Sequence, residues 1–393
     1  MESTKRKVLV VGGGFGGIKA ALELAGHHHY SVTLVSDHPD FRYYPTLYRT
    51  ATGSNHNASS IPLSEIFKNR NIKLVIDWVE KLDYDNKKVF NSDGKAYSYD
   101  ILIVALGVVT NFFGIKGLEE YAYGIKTNEE ARRLRNHLHQ QLADENKPDL
   151  NYVVIGGGPT GVELAGALPK YLRHIMKKHG VTERTVHIDL VEAAPRLVSR
   201  MPKAYSKAVA KHLRKEGVKL HLGQTVEAET ADQLMVSGHS IASHTVIWTA
   251  GVTNHPFLKA NGFNLSEHGK VLVDQYLSAD LDVYVIGDNA DTPYSGMAQT
   301  ALYDGRFVAN NLKRLARGDS PKSYKAKKPV YITPAGPHWA AVLWNKVHLY
   351  GWLGWMMRGA ADFAGYHDYE PWWQAGKHWV AESEREEECQ ICS

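Results

Sequence analysis

Cysteine is almost absent from this chain of 393 residues, and the two that occur, Cys389 and Cys392, lie at its C-terminal end. The body of the chain therefore has no disulfide framework, which is typical of a protein in a reducing compartment. The Cys-x-x-Cys pair leaves three interpretations open. It is a flexible tail with two free thiols, half of a zinc site completed by a second copy, or a redox-active pair.

Long hydrophobic runs are also missing. No stretch of about 18 apolar residues occurs, so the sequence predicts no transmembrane helix. The apolar run at residues 8–11 is too short for the hydrophobic part of a signal peptide. The formal net charge of only +4 gives no argument for binding nucleic acid, although it is compatible with an anionic membrane surface.

Tryptophan is unevenly distributed, since seven of the nine lie between Trp339 and Trp379. Trp and Tyr favour membrane interfaces because they combine an apolar body with a polar edge. The region from Tyr331 onwards is therefore predicted to lie in a membrane interface. A dimer interface and a sheet-and-helix cap on the core are the alternatives. The acidic run at residues 382–388 is predicted to be a solvated tail.

A glycine-rich turn follows the first apolar segment, in the sequence KVLVVGGGFGG at residues 7–17. Residues 8–11 predict a buried parallel strand and residues 18–25 predict a helix. The G-x-G-x-x-G spacing allows a tight turn, close approach of a pyrophosphate and close packing of helix on strand. The N–H groups at the start of the helix would face the phosphates. The predicted dinucleotide contacts are Gly12, Gly14, Phe15, Gly16 and Gly17.

Two features after this turn predict further contacts with the same dinucleotide. An acid at the end of the second strand accepts hydrogen bonds from a ribose. Ser36 occupies that position and Asp37 follows one residue later, so Asp37 is the candidate, with a helix or turn cap as the alternative. The aromatic loop FRYYPTLYRTATG is predicted to lie over a flat ring, or else to pack as a surface loop. Arg42 and Pro45 of this loop are the predicted cofactor contacts.

The same unit recurs 144 residues later, where a predicted strand at residues 152–155 leads into a second glycine loop and a helix. Two such loops with correct flanks predict two dinucleotides bound by two related domains. Glu192 closes the next strand, and a carboxylate there pairs with a free 2′-hydroxyl and repels a 2′-phosphate. NADH is therefore favoured over NADPH, although Arg196 nearby would soften this preference. The predicted contacts of the second loop are Gly156, Gly158, Pro159, Thr160, Gly161 and Glu192.

Three small-residue turns end further predicted strands. The first, with Ala105 and Gly107, and the second, with Gly251, mark where the chain leaves and re-enters the first domain. In the third, VYVIGD, a glycine lets the backbone approach a ligand and Asp288 can bind a ribityl hydroxyl, which favours a flavin as the first dinucleotide. A helix predicted at residues 297–312 would point its positive N-terminus at the flavin ring. The predicted contacts here are Gly287 and Asp288.

Together these segments resemble the flavoproteins with two dinucleotide-binding domains of the glutathione-reductase fold, in the pyridine nucleotide-disulfide oxidoreductase superfamily. More narrowly they resemble the type II NADH dehydrogenases, the single-chain, non-proton-pumping NADH:quinone oxidoreductases. The matching segments include VVGGGFGG, VVIGGGPTGVELAGAL, LVEAAPRLVSRMP, VIWTAGV, VYVIGDNA and GMAQTALYDGR. The resemblance implies that the first loop binds FAD and the second NADH, and that Ala298, Gln299 and Thr300 complete the flavin site. It also implies that Glu163 lies near the nicotinamide and quinone pockets.

The chain departs from the family pattern in three places. The first-strand acid is displaced to Asp37, and Leu106 replaces the usual threonine between Ala105 and Gly107. On the quinone side, Tyr303 stands where the family has a second glutamine after Gln299. A phenol can still hydrogen-bond a quinone carbonyl or stack on the ring. Glu163, Gln299 and Tyr303 are therefore the predicted catalytic residues.

The cysteine inventory separates the chain from its thiol-dependent relatives. Disulfide reductases and sulfide:quinone oxidoreductases share this fold and need thiols beside the flavin, whereas residues 1–388 contain none. What remains is a hydride passed from NADH to flavin N5 and then two electrons to an acceptor, with no metal required. The expected acceptor is a quinone. A soluble reductase of a protein carrier or of oxygen, and an NADH-binding redox-signalling flavoprotein, are the alternatives.

The expected architecture is an α/β fold with two Rossmann-like domains and an aromatic-rich C-terminal region. Residues 1–114 and 255–330 are assigned to the FAD-binding domain and residues 115–254 to the NADH-binding domain. Residues 331–393 are assigned to a membrane-interface or dimerisation region with an acidic Cys-x-x-Cys tail. We expect a homodimer bound peripherally to the cytoplasmic face of the cell membrane, without nucleic acid as a partner.

Overall fold

The computed structural model describes residues 5–144, 150–181 and 183–386. Its strands are β1 (Arg6–Val11), β2 (Tyr30–Ser36), β3 (Asp40–Arg42), β4 (Ser60–Pro62), β5 (Ile72–Ile76), β6 (Val79–Asp83), β7 (Lys88–Asn91), β8 (Ala96–Ser98), β9 (Ile101–Val104), β10 (Val108–Thr110), β11 (Asn151–Ile155), β12 (His187–Glu192), β13 (Val218–Leu222), β14 (Val226–Glu229), β15 (Gln233–Val236), β16 (His239–Ala242), β17 (Thr245–Trp248), β18 (Val252–Asn254), β19 (Ser278–Asp280), β20 (Val283–Val285), β21 (Tyr331–Pro334), β22 (Ala340–Trp344) and β23 (Val347–Gly351). Its helices are α1 (Phe15–Leu24), α2 (Leu47–Ala51), α3 (Leu63–Ile66), α4 (Leu118–Tyr121), α5 (Asn128–Ala143), α6 (Pro159–Lys178), α7 (Lys203–Lys215), α8 (Pro256–Ala260), α9 (Ala298–Ala316), α10 (Trp352–His367) and α11 (Trp372–Ala381).

The largest sheet has the strand order β19-β20-β9-β1-β2-β5 and is parallel except at the β19 edge. Val8 to Val11 of β1 are buried because neighbouring strands and helices cover both faces of the sheet. Strand β20 comes from late in the chain and pairs with β9. Helices α1 and α9 pack against each other on this sheet. The late segment therefore arrives beside the first glycine loop.

A second parallel sheet has the order β13-β12-β11-β17 and repeats the arrangement around β1. Gly12 donates its backbone N–H to Val35 O at 2.8 Å, and Gly156 donates in the same way to Val191 O at 2.8 Å. Because both loops leave their strands identically, the predicted internal repeat is a structural one. The expected α/β architecture with two Rossmann-like units is confirmed.

The units around the two parallel sheets are linked by two short strands, β10 and β18, which pair antiparallel. Both follow strands whose C-terminal ends carry small-residue turns, at Ala105 and at Thr249. Smaller antiparallel sheets complete the fold, in the orders β6-β7-β8, β14-β15-β16 and β3-β4. The strands of both parallel sheets therefore have their C-terminal ends beside one shared cleft. Open α/β sheets bind ligands at this end of their strands.

The aromatic C-terminal region forms an antiparallel sheet, β21-β22-β23, followed by α10 and α11. Strand β21 packs on α6, and α10 packs on all three strands. The region thus packs as a sheet-and-helix cap on the core, while the membrane interface and the dimer interface stay predictions for its exposed side. No helix in the described ranges is both long and apolar enough to cross a membrane.

The prediction of a solvated acidic tail is wrong for Glu382 and Glu386, whereas residues 383–385 between them are exposed. Glu382 is buried and pairs with Arg49 at 3.2 Å, while Glu386 pairs with Arg135 at 2.8 Å. These arginines face carboxylates because a buried guanidinium without a counter-ion is costly. Cys389 and Cys392 lie outside the described residues.

Candidate active site

One cavity of about 1360 Å³ is lined by both glycine loops. Of the residues predicted from the sequence, those that line it are Gly12, Gly14, Phe15, Gly16, Asp37, Arg42, Pro45, Ala105, Gly107, Gly156, Gly158, Pro159, Thr160, Glu163, Glu192, Gly287, Asp288, Ala298 and Gln299. The fold therefore brings the two predicted nucleotide sites together in one continuous space.

The first loop has the shape that a dinucleotide diphosphate requires. Gly14 caps the N-terminus of α1 without any side-chain cap, and a Cβ added there would meet open space. The first-turn N–H groups of α1 are consequently free to face an anion, and no acidic residue stands in that turn. At Gly17, by contrast, a Cβ would collide with the carbonyl oxygen of Gly12. The loop therefore fits the predicted diphosphate of a dinucleotide.

The second loop repeats this geometry and adds an acid. The Glu192 carboxylate accepts the N–H of Gly157 at 2.5 Å and the N–H of Ala194 at 2.6 Å. Gly161 lies behind the loop, where a Cβ would collide with the Gly156 carbonyl oxygen. Arg196 donates to Met201 O, Ser199 O and the Ser206 hydroxyl, which fastens it to its own loop. Glu192, the acid at the end of β12, is thus held in place and lines the cavity.

We expect the Glu192→Gln variant to lose about tenfold in its discrimination between NADH and NADPH, because the negative charge that repels a 2′-phosphate is removed. The measurement is the ratio of kcat/KM for the two nucleotides. Glu267→Gln, an exposed glutamate outside the cavity, serves as control. An unchanged ratio in Glu192→Gln would show that this carboxylate does not read the ribose.

In the first unit, the register identifies Ser36 as the counterpart of Glu192. A Cβ on Gly13 would meet Ser36, as one on Gly157 would meet Glu192. Ser36 is buried and donates its hydroxyl to His38 O at 2.7 Å. Asp37 lines the cavity instead and pairs with Arg42 at 3.4 Å. The displacement of the acid that the sequence suggests is therefore real, and Asp37 stays the predicted ribose ligand.

The late Gly-Asp turn is held from beneath by a buried carboxyl. Asp304 accepts the N–H of Gly287 at 3.1 Å and the hydroxyl of Tyr324 at 2.6 Å, and burial raises the pKa of Asp304 to about 6. Asp288 itself lines the cavity. The N-terminus of α9, at Ala298, has no side-chain cap and lies at the same wall. Its partial positive charge is available to a bound anion.

Glu163 of α6 lines the cavity but is almost fully buried. Burial raises its pKa to about 7, and the guanidinium of Arg358 at 2.9 Å opposes that rise. Arg358 comes from α10, 195 residues along the chain, and also pairs with Asp362 at 2.7 Å and donates to Pro45 O. A carboxyl with a pKa near neutrality can hold a proton that a reaction consumes.

Five predicted site residues lie outside the cavity lining. Gly17 and Gly161 pack behind their own loops, as described above, whereas the predictions for Gly251, Thr300 and Tyr303 are corrected. Tyr303 packs its ring 5.7 Å from Tyr324, under the Lys327 ammonium, because its side of α9 faces the loop after α9. Thr300 donates its hydroxyl to Tyr294 O, which fastens a loop. Gly251 lies against Asn111, where a Cβ would collide with the carbonyl oxygen.

Gln299 lines the cavity, but its amide is already occupied. It donates to Val330 O at 3.0 Å and accepts the N–H of Val330 at 3.1 Å. This pair clamps α9 to the segment entering the C-terminal sheet. Gln299 therefore acts first as a structural clamp at the cavity wall.

Sequence reasoning missed three groups that line the cavity. Arg358 lies in a segment whose composition suggested only an interface. Trp78 and His255 face each other with ring centroids 5.2 Å apart, and Lys126 lies 4.7 Å over the Tyr44 ring. A lone charged or aromatic residue carries no spacing signal. Among the described residues, no group of His, Cys, Asp or Glu side chains is arranged to hold a metal ion.

Comparison with known proteins agrees with this geometry. The sequence model of the pyridine nucleotide-disulphide oxidoreductase family matches residues 6–305. A curated relative, the type II NADH:quinone oxidoreductase of Staphylococcus aureus (strain NCTC 8325 / PS 47), is 28% identical over 362 residues, covering 86% of this chain and 89% of the relative. The resemblance to type II NADH dehydrogenases that the motifs carry is thereby confirmed.

Two solved structures share the fold. NDH2 from Plasmodium falciparum in complex with NADH superposes with a TM-score of 0.86 at 16% identity, covering 96% of this chain and 97% of that one. The sulfide:quinone oxidoreductase from Aquifex aeolicus has a TM-score of 0.79 at 20% identity, covering 95% and 92%. With its two glycine loops in one cavity and the family match across most of its length, the chain belongs to the pyridine nucleotide-disulphide oxidoreductase family and is an oxidoreductase.

Proposed function

We propose that this protein is an FAD-dependent NADH:quinone oxidoreductase. The observation that carries the proposal is the single cavity lined by both glycine loops and by a buried carboxyl of raised pKa. The reaction converts NADH, one proton and a quinone into NAD⁺ and the quinol. The printed name of the Staphylococcus aureus relative supports the same reaction.

The residues of this chain have distinct tasks in that reaction. The first-loop N–H groups would hold the diphosphate of FAD, Asp37 its ribose and Asp288 its ribityl chain, while the second loop and Glu192 would hold NADH. When bound, the flavin would accept a hydride from NADH at N5 and pass two electrons to the quinone. Glu163 would hold, at a carboxyl oxygen, the proton that the quinol needs.

Steady-state NADH oxidation with a panel of quinones, oxygen and ferricyanide tests the proposal. The expected result is a yellow protein that reduces menadione or ubiquinone faster than oxygen. A protein that is bleached by NADH but passes no electrons to any quinone would contradict the quinone assignment. In that case the soluble-reductase and signalling alternatives would be favoured.

The C-terminal region supports a second part of the proposal, which is docking on a membrane that supplies the quinone. Apolar side chains are exposed on the β22–β23 hairpin and on α10 and α11. They are Trp344, Val347, Tyr350, Trp352, Leu353, Met356, Trp372, Trp373, Trp379 and Val380. Lys346 lies at the turn of this hairpin, and Lys327 and Lys328 are exposed in the segment that precedes β21. Their positive charges would attract anionic lipid headgroups. We propose peripheral binding at the cytoplasmic face of the membrane, as a homodimer.

Replacing both Trp372 and Trp373 by serine is expected to reduce binding to vesicles by about a hundredfold or more, since burying each large apolar side chain contributes about 1.5–3 kcal/mol. Flotation with vesicles of mixed anionic and zwitterionic lipid is the measurement. Leu281→Ser is the control, because this side chain is 80% exposed but lies in the turn between β19 and β20. Equal flotation of the double variant and the wild type would rule out this surface.

A further inference from the structure

Five charged side chains of alternating sign run from the cavity to the C-terminal segment. Glu163 pairs with Arg358 at 2.9 Å, and Arg358 pairs with Asp362 at 2.7 Å. Asp362 lies 3.9 Å from Arg49, and Arg49 pairs with Glu382 at 3.2 Å. The chain of charges therefore has a carboxyl at each end, one at the cavity and one just after α11.

This set holds three carboxyl groups and only two guanidinium groups. Among the described residues, four phenols also interact with the two ends of this set, and phenols are neutral at physiological pH. They are Tyr48 and Tyr205 at Glu163, and Tyr43 and Tyr366 at Glu382. Burial raises the pKa of Glu382 to about 7, as it does for Glu163, and neighbouring Asp362 adds to the rise at Glu382. The Oε1 atom of Glu382 is buried without a hydrogen-bond partner among the described residues. The five side chains together carry no net charge only when one of the three carboxyl groups is protonated.

We propose that Glu382 is a remote positioning residue for Glu163: the two end carboxyls hold one proton between them, so that the charge on the C-terminal segment sets whether the cavity carboxyl is protonated. The coupling is electrostatic and needs no proton movement through the guanidinium groups. The inference rests on the proposed function for its consequence, because only a proton-consuming reaction in the cavity makes the protonation of Glu163 matter to turnover.

The C-terminal segment is attached independently of the Glu382 carboxyl. Ser54 donates its hydroxyl to Glu382 O at 2.9 Å, and Asn55 donates its N–H to Glu384 O at 2.9 Å. Glu386 pairs with Arg135 and with His56, at 2.8 and 2.9 Å. Neutralising the Glu382 side chain therefore leaves the segment docked, which separates the effect of its charge from that of its attachment.

The experiment is an infrared pH titration of the carbonyl band that protonated carboxylic acids give. In the wild type the midpoint of this band is expected near pH 7, where both end carboxyls titrate. In the Glu382→Gln background, subtracting the spectra of the double variant Glu382→Gln, Glu163→Gln isolates the band of Glu163. In Glu382→Gln we expect this midpoint to fall by about one pH unit, because a buried negative charge is removed. Glu382→Asp keeps the charge and is expected to keep the midpoint near that of the wild type.

Glu386→Gln is the matched control, since it loosens the same segment but does not face Glu163. A midpoint that stays in place in Glu382→Gln overturns the proposal, and so does an equal fall in Glu386→Gln. If Glu382→Gln does not fold, Glu382→Met, which removes the charge with an apolar side chain of similar volume, takes its place with the same expected fall of the Glu163 midpoint. The titration needs no quinone turnover, so it can fail or succeed independently of the quinone assay.

Discussion

Replacing Arg358 by methionine is expected to destabilise the fold by about 3–5 kcal/mol and to abolish most of the turnover with quinone. Arg358 is 5% exposed, and its guanidinium pairs with both Glu163 and Asp362. Without it, these two carboxyls and Glu382 share the single guanidinium of Arg49. Removing one partner of a buried ion pair leaves the other charge buried without compensation, which destabilises the fold strongly. Replacing the whole pair by apolar side chains costs much less. Urea unfolding monitored by fluorescence measures the effect.

Arg306→Met is the matched control for this prediction. Arg306 also makes two ion pairs, with Glu23 and Asp368, but its side chain is 48% exposed. Because exposed pairs are screened by solvent, we expect a loss of about 1 kcal/mol or less. The double variant Arg358→Met, Glu163→Gln should recover part of the stability lost in Arg358→Met. Equal losses in the Arg358 and Arg306 single variants would contradict the proposed burial of the charge network.

Replacing Gly17 by valine is expected to yield a protein without flavin that is destabilised by about 3 kcal/mol. The added Cβ would collide with the Gly12 carbonyl oxygen, so α1 has to move away from β1. That movement takes the helix N-terminus away from where it can hold a diphosphate. The flavin content per protein, read from absorbance after denaturation, and urea unfolding measure the two effects.

Gly376→Val provides the control for this substitution. Gly376 lies in α11, and a Cβ there would meet no atom within 4 Å, so the stability is expected to stay within about 0.5 kcal/mol of the wild type. Gly161→Val tests the specificity of the two loops. It is expected to retain flavin while losing reduction by NADH, since its collision is with Gly156 of the second loop. Flavin retained by Gly17→Val would show that the first loop does not hold it.

The sequence predicts the two nucleotide loops well because their chemistry is local. The glycine spacing, the preceding apolar strand and the following helix lie within about 20 residues of each other, and each loop closes on itself. The same locality explains why Asp37 could be recognised as displaced from the usual acid position.

The sequence predictions fail for single residues whose contacts are made by segments distant in the chain. The family pattern predicts that Tyr303 lies on the quinone side, but the loop after α9 supplies Tyr324 and Lys327, which hold the Tyr303 ring outside the cavity. Gln299 is engaged by the backbone of Val330. The acidic run after α11 predicts a solvated tail, but in the folded chain Arg49 pairs with Glu382 and Arg135 pairs with Glu386.

The amino-acid sequence by itself determined the two phosphate loops, the acid of the second one and the absence of core thiols, because each depends on residue type and short spacing. Only the tertiary structure decided how Glu163 is charged. Its partner Arg358 lies 195 residues away, and Glu382 lies 219 residues away, at positions with no motif. Electrostatic coupling depends on distance and burial, and neither exists before the C-terminal region packs against α6.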